Sequence, residues 1–450
     1  MGILLAIVCI GVVGYLLIKG YSPHAVLLVV GLLMIALAQA LGTGAVPLKQ
    51  STGFAPFDGF AFVRQSFSGT LSGVGLMIMA IGGFVAYMDK IGASEVLVDL
   101  AVKPLRIFRF NPHLAAVAFM PLGQALFVAI PSAAGLGLLL MASVFPVLRR
   151  IGVSRLSAAA VISCCTALGI GPASATTATA AENSGMDMVS FFIQYQLPIT
   201  IPLSVICAVT LYFVNVWGDR KAPQEPEHIE KATGAKAPAL YALLPVLPLV
   251  LLVMFSELFQ PFGRPIVLDT TTAMFISFGV ALVFEGIRHR NFKALMASVK
   301  EFWSGMAEMF KTVVTLIIAA ELFAQGLIAL GLLDALVQGS ISLGMGWIGI
   351  AALLVVLILL TSVLMGSGNA SFFAFGPLAP GIAQQFGLPA VKLVLPMNLA
   401  ASIGRTASPV SGVLIAVSEL AEVKPFELAK RNALPMLIVA VGMFVLHLVQ

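Results

Sequence analysis

Residues 361–377 read TSVLMGSGNASFFAFGP. They close an apolar run, 347–365, yet Gly366-Ser367-Gly368-Asn369 presents no hydrophobic face. Lipid offers no hydrogen bonds, so each unsatisfied backbone N–H or C=O in hydrocarbon costs several kcal/mol. A polar, glycine-rich break at membrane depth is tolerated only where protein or a water-filled cavity shields it. Here it turns an apparent spanning helix into a hairpin.

The rest of the chain supplies the membrane context. Of 450 residues, 60% are hydrophobic and 10% charged, against ~25% charged in average soluble domains. Repeated apolar runs of about 20 residues make this a polytopic α-helical membrane protein. ILLAIVCIGVVGYLLI at 3–18 has no basic segment before it and no small-residue cleavage site after it, which predicts a retained first helix. Cys9, Cys164, Cys165 and Cys207 all lie in apolar segments and suggest neither a disulfide framework nor a zinc site. The net charge of +5 is read as basic cytoplasmic loops, not as a nucleic-acid partner.

Basic residues set the topology. Seventeen of them, among them Arg149, Arg150, Arg155, Arg288, Lys424 and Arg431, fall on the cytoplasmic side if 114–149 is a re-entrant hairpin with its tip near Pro131-Ser132. By the same logic 347–386 is a hairpin entering from outside. Only Lys49, Arg64, Arg264 and Lys392 are then left outside. Ten spans result, with both termini outside. A polar linker, 217–238, separates a first half, 1–216, carrying a broken helix at 155–190, from a second half, 239–450, carrying one at 389–423. Landmarks recur between the halves. Gly92, Ser132, Gly152 and Pro172-Ala-Ser174 match Gly331, Ser367, Gly387 and Pro409-Val-Ser411. Tip to turn is 20 residues in both halves, and tip to Pro-x-Ser is 40 and 42. Five spans per half is an odd number, so the predicted fold is all-α, with two inverted five-helix repeats, each holding a re-entrant hairpin and a broken helix. That is a pattern of secondary transporters. The stretch 92–110 reads as an amphipathic helix along the cytoplasmic interface.

Four irregular segments carry the chemistry: AIPSAAG at 129–135, GIGPASATT at 169–177, GSGNAS at 366–371 and SIGRTASPVSG at 402–412. Half-helix N-termini with hydroxyls can hold an anion, and freed carbonyls, such as those near Ser132 and Ser367, can hold Na⁺. The plainer alternative at each is a Pro/Gly kink whose serines bond back to the helix. Arg405 lies deep in an apolar stretch, where a charge costs ~2.5–3.5 kcal/mol. It can grip a carboxylate through two parallel hydrogen bonds or pair internally. Glu321, in TVVTLIIAAELFAQGLIAL, is a candidate for carrying a coupling proton or for an interhelical hydrogen bond. Glu182 and Asp187 are placed nearer the outer surface. His24, His113, His228, His289 and His447 sit at segment ends or in loops, so no Ser-His dyad forms and no enzyme is expected. No phosphate-cradling loop and no cofactor motif appears. An ion channel would need a continuous polar pore, which broken helices around an occluded site do not supply.

GSGNASFFAF (366–375), IGRTASPVSGVLIAV (403–417) and GLGLLLMASVFPV (135–147) resemble the DcuC family of anaerobic C4-dicarboxylate carriers. LIKGYSPHAVLLVVGLLM (17–34) and MIMAIGGFVAYMDKIGA (77–93) extend the resemblance over most of the chain. It implies uptake, exchange or efflux of succinate, fumarate and malate across a bacterial inner membrane; coupling to H⁺ or Na⁺ is expected because one arginine leaves a dianion under-neutralised. It also implies an elevator mechanism in a homodimer with scaffold and transport domains. Carried over by position, Ser132, Ser174, Ser367, Gly368, Asn369, Arg405, Thr406 and Ser408 would line the substrate site, with Ala133, Thr176 and Thr177 in the same segments. Another small organic anion of the wider superfamily is the alternative substrate.

Overall fold

The computed structural model describes residues 2–43, 48, 50–103, 111–220, 237–255, 266, 268–342 and 344–449. Most of the 217–238 linker and the last residues of the amphipathic stretch 92–110 lie outside that set; Ala93–Val102 of the latter is helical. Among the described residues every regular element is a helix. Nine helices there are long and apolar enough to cross a membrane. These include Pro112–Ala129 and Gly346–Met365, because length and apolarity do not separate a spanning helix from the arm of a hairpin.

Helices break where the residues require it. Pro112–Ala129 stops at Ile130-Pro131, and Ser132 caps the next helix, Ala133–Ser143, by accepting the Gly135 N–H at 3.1 Å. Gly346–Met365 stops at Gly366 (φ 68°), and Ser367 caps Gly368–Phe375 by accepting the Ala370 N–H at 3.2 Å. A serine oxygen thus satisfies one orphan N–H of each new helix. The second arm of this hairpin is itself interrupted. Pro377 lacks an N–H, and a 3₁₀ turn, Gly376–Leu378, precedes Ala379–Gln385. The landmark glycines Gly92, Gly152, Gly331 and Gly387 all have left-handed φ, between 64° and 93°.

The chain forms two compact units. The first comprises Met1–Leu76, Thr179–Met186 and Phe310–Arg405. Its centre is the packing of Pro23–Leu41 on Thr315–Ala329, where Leu27, Met34, Ile35, Leu322, Phe323 and Leu327 are essentially inaccessible. Lipid tails are as apolar as these side chains, so close van der Waals packing drives the contact. π-helical turns at Leu71–Gly75 and Phe310–Val314 also meet in this unit.

The second unit comprises Met77–Ala178, Asp187–Met309 and Thr406–Gln450. Met188–Asp219 packs on Pro425–Val449, and both pack on Arg155–Cys164. A polar cluster fastens their ends. Asp219, with 4% of its side chain exposed, accepts from Ser154 Oγ (2.8 Å), Ser157 Oγ (2.7 Å) and Arg431 Nη1 (3.3 Å). Arg431 Nη1 also donates to Asn215 Oδ1 at 3.3 Å. Elsewhere Phe278 stacks on Phe302 with ring centres 4.2 Å apart, and Tyr87 meets Phe278 edge-on.

Candidate functional site

The first unit holds Ser367, Gly368, Asn369, Arg405 and Glu321. At the hairpin tip, a Cβ placed on Gly368 would come 2.7 Å from the Ala401 carbonyl oxygen, so only glycine allows this approach. Ala401 and Arg405 are four residues apart on helix Val391–Thr406 and share one face. The N-terminus of Gly368–Phe375 therefore meets that helix one turn before Arg405. Gly404 is set against the Leu359 carbonyl of the other arm, its own Cβ position 2.6 Å from that oxygen. Arg405 and Asn369 are both half-buried. A helix N-terminus carries roughly half a positive charge, and a guanidinium offers paired donors. Together they make an anion-holding arrangement.

The second unit holds Ser132, Ala133, Ser174, Thr176, Thr177, Thr406 and Ser408. After Arg155–Cys164 the chain unwinds, with Gly169 at φ 59° and Gly171 at φ 111°, until Ala175–Asn183 begins. A Cβ on Gly171 would lie 3.0 Å from Val128 Cα in the first hairpin, so this position demands glycine twice over. The Gly171 N–H donates to Gln196 Oε1 at 3.1 Å, and Gln196 Nε2 donates to Thr177 Oγ1 at 3.1 Å. Ser174 Oγ and Thr176 Oγ1 are 3.1 Å apart. The second break runs from Thr406 to Ser411, where the Val410 N–H donates to Ser408 Oγ at 3.3 Å. Asn432 Nδ2 donates to the Thr406 carbonyl at 3.0 Å and to Ser163 Oγ at 2.9 Å.

Ser132, Ser367, Thr177 and Ser408 thus already serve local structure. The polar groups that organise the breaks, Gln196 and Asn432, are neutral carboxamides, which carry no charge cost to mark them in the sequence. In sequence Gln196 shares its apolar span, FFIQYQLPIT, with Gln194, and Asn432 directly follows Arg431 in RNALPMLIVA, so neither is singled out by its neighbours.

Glu321 is not stranded in lipid-like surroundings. It lies on the wall of a cavity of about 880 Å³ within the first unit, lined also by Arg64, Gln65, Thr70 and Glu182. Thr70 Oγ1 donates to Glu321 Oε2 at 3.4 Å. Glu182, given little weight from sequence, shares that cavity.

The chain matches the DcuC family, described as C4-dicarboxylate anaerobic carriers, over residues 1–450. It is 36% identical over 439 residues to a probable anaerobic C4-dicarboxylate transporter DcuC of Vibrio cholerae, covering 97% of this chain and 95% of that one. It is 36% identical over 434 residues to the anaerobic C4-dicarboxylate transporter DcuC of Escherichia coli K12, covering 96% and 93%. Among solved structures, the YdaH transporter of Alcanivorax borkumensis aligns with a TM-score of 0.56 at 17% identity, covering 95% of this chain and 97% of that one. MtrF of Neisseria gonorrhoeae aligns with a TM-score of 0.55 at 12% identity, covering 95% and 94%. These two show a shared fold. With nine candidate spans among the described residues and relatives named as transporters over nearly its whole length, the protein is a multi-pass inner-membrane transporter and not an enzyme. The chain belongs to the DcuC family of anaerobic C4-dicarboxylate carriers.

Proposed function

We propose that this protein carries succinate, fumarate and malate across the bacterial inner membrane as a secondary transporter, by uptake, exchange or efflux. The observation that carries the reading is the Ser367-capped helix N-terminus lying one turn from Arg405 on a shared face. In it, Ser367, Gly368, Asn369 and Arg405 hold a carboxylate. Ser132, Ala133, Ser174, Thr176, Thr177, Thr406 and Ser408 belong to the same proposed set of substrate-binding residues.

Charge counting supports cation coupling. One guanidinium and one helix N-terminus, the latter worth about +0.5, leave roughly half a charge of a dianion uncompensated. A co-transported H⁺ on Glu321, or Na⁺ at the freed backbone of Ser132 and Ser367, supplies the remainder. An elevator motion in a homodimer is part of the proposal. It is supported by the division into two compact units, two of the five chain crossings between them lying beside the π-turns Leu71–Gly75 and Phe310–Val314. The landmarks that recur in both halves support the inverted repeat.

The test is succinate counterflow in proteoliposomes, with pH and Na⁺ varied. Wild-type protein is expected to exchange succinate, Arg405→Ala to lose exchange, and Glu321→Gln to lose its pH dependence. Counterflow in Arg405→Ala equal to wild type would remove the arginine from the site.

A further inference from the structure

We infer that Gln196 and Asn432 are a repeat-related pair of positioning residues, each clamping the break of its own half by capturing a backbone group that the break orphans. The inference deepens the proposed substrate reading and rests on it for its transport arm.

Both side chains are fully buried. In a continuous helix the Gly171 N–H would donate to the carbonyl four residues earlier. Here it donates to Gln196 Oε1, 25 residues downstream. In a continuous helix the Thr406 carbonyl would accept from the Val410 N–H. That N–H is taken by Ser408 Oγ, and the residue before it, Pro409, has none to offer. The carbonyl instead accepts from Asn432 Nδ2, 26 residues downstream. Gln196 and Asn432 are themselves 236 positions apart, within the 235–239 spacing of the Gly, Ser and Pro landmarks.

The network fixes each amide's orientation. A backbone N–H can only donate, so the Gln196 oxygen faces Gly171; a carbonyl can only accept, so the Asn432 nitrogen faces Thr406. The two clamps therefore act with opposite polarity, one through its acceptor and one through its donor. Gln196 uses its second function on a neighbour, Nε2 holding Thr177 Oγ1, whereas Asn432 donates from the same Nδ2 to Ser163 Oγ, near the end of Arg155–Cys164, and accepts from Cys164 Sγ at Oδ1 (3.8 Å). A carboxamide suits this task because it satisfies backbone groups without adding charge inside the membrane, where an ionised side chain would need its own partner. What each clamp positions is the start of Ala175–Asn183, with Ser174 and Thr176, and the residue following Arg405.

The experiment is hydrogen exchange read by mass spectrometry on the full-length protein in nanodiscs, alongside succinate counterflow. Gln196→Met and Asn432→Leu match volume and remove the bonds. Gln196→Met is expected to speed exchange about tenfold or more across 169–177, and Asn432→Leu across 406–411, leaving distant helices such as Pro23–Leu41 unchanged. Gln196→Glu keeps an acceptor for Gly171 and is expected to restore most of the protection. Both apolar variants are expected to raise the KM for succinate with Vmax little changed. Unaltered exchange at the breaks, exchange raised evenly over the chain, or a Gln196→Glu protein indistinguishable from Gln196→Met would overturn the clamp. If wild-type protein moves no succinate, the substrate reading fails, while the exchange arm still decides the clamp.

Discussion

Gly368→Ala isolates the contact on which the carboxylate-holding arrangement depends. The new Cβ would sit 2.7 Å from the Ala401 oxygen and 3.0 Å from its carbon, both backbone atoms that no rotamer change can move aside. Ordinary contact starts near 3.4 Å, so the hairpin tip must retreat by roughly 0.7 Å. Overpacking of this kind costs ~1–3 kcal/mol. Replacing glycine by alanine in a helix returns about 0.5–1 kcal/mol, leaving a net loss of up to about 2.5 kcal/mol. The displacement occurs one helical turn from Arg405, so it is expected to weaken succinate binding by about tenfold, corresponding to ~1.4 kcal/mol. Gly14→Ala, with nothing within 4 Å of its Cβ position, is the matched control and should be neutral or slightly stabilising. Thermal unfolding in detergent and the KM for counterflow are the readouts. If Gly368→Ala matches Gly14→Ala in both, the tip does not rest on the Ala401 backbone and the geometry beside Arg405 is misassigned.

Two further substitutions test the second unit. Arg431→Met leaves Asp219, only 4% exposed, without its guanidinium and with only the His113 imidazole, Nε2 3.8 Å away, as a basic neighbour, and should lower stability by ~3–5 kcal/mol; adding Asp219→Leu should recover much of that loss in the same unfolding assay, because the buried carboxylate is gone. Gly171→Ala combines φ 111° with a 3.0 Å approach to Val128 Cα, and backbone strain alone should cost ~1–3 kcal/mol. Its expected signature is loss of protection from exchange around 169–177 with succinate counterflow reduced, and a protein with wild-type exchange there would contradict the left-handed turn.

The breaks were legible in the sequence for a local reason. Gly366 followed by Ser367, and Pro131 followed by Ser132, spell a helix stop and a new cap within two residues, and an apolar context makes such a pair expensive unless it is used. Gly92, Gly152, Gly331 and Gly387 were legible in the same way, since a turn that needs positive φ selects glycine wherever it occurs. The bend at Pro377 was visible as a residue but not as a consequence, because prolines elsewhere in this chain sit inside long helices, Pro202 and Pro435 among them, without ending them. Whether a proline interrupts a helix depends on what neighbours re-satisfy the freed groups, and that is a tertiary property.

The candidate site divides along the same line. Arg405 announced itself because a charge in an apolar stretch is costly wherever the fold places it. Gln196 and Asn432 announced nothing comparable. A carboxamide in a membrane helix is inexpensive if it finds a partner, and those partners, Gly171 and Thr406, are 25 and 26 residues away. No local pattern encodes that distance. Glu321 shows the converse. Its sequence context implied isolation, yet Thr70, Arg64 and Glu182 reach the same cavity from segments up to 257 positions away. Ionisable residues in membrane spans report their own cost in sequence, whereas the groups that offset that cost, and those that hold broken helices open, are set by pairings between segments. The positions most informative about this carrier's mechanism are therefore neutral polar residues inside apolar helices, which composition passes over and hydrogen-bond bookkeeping finds.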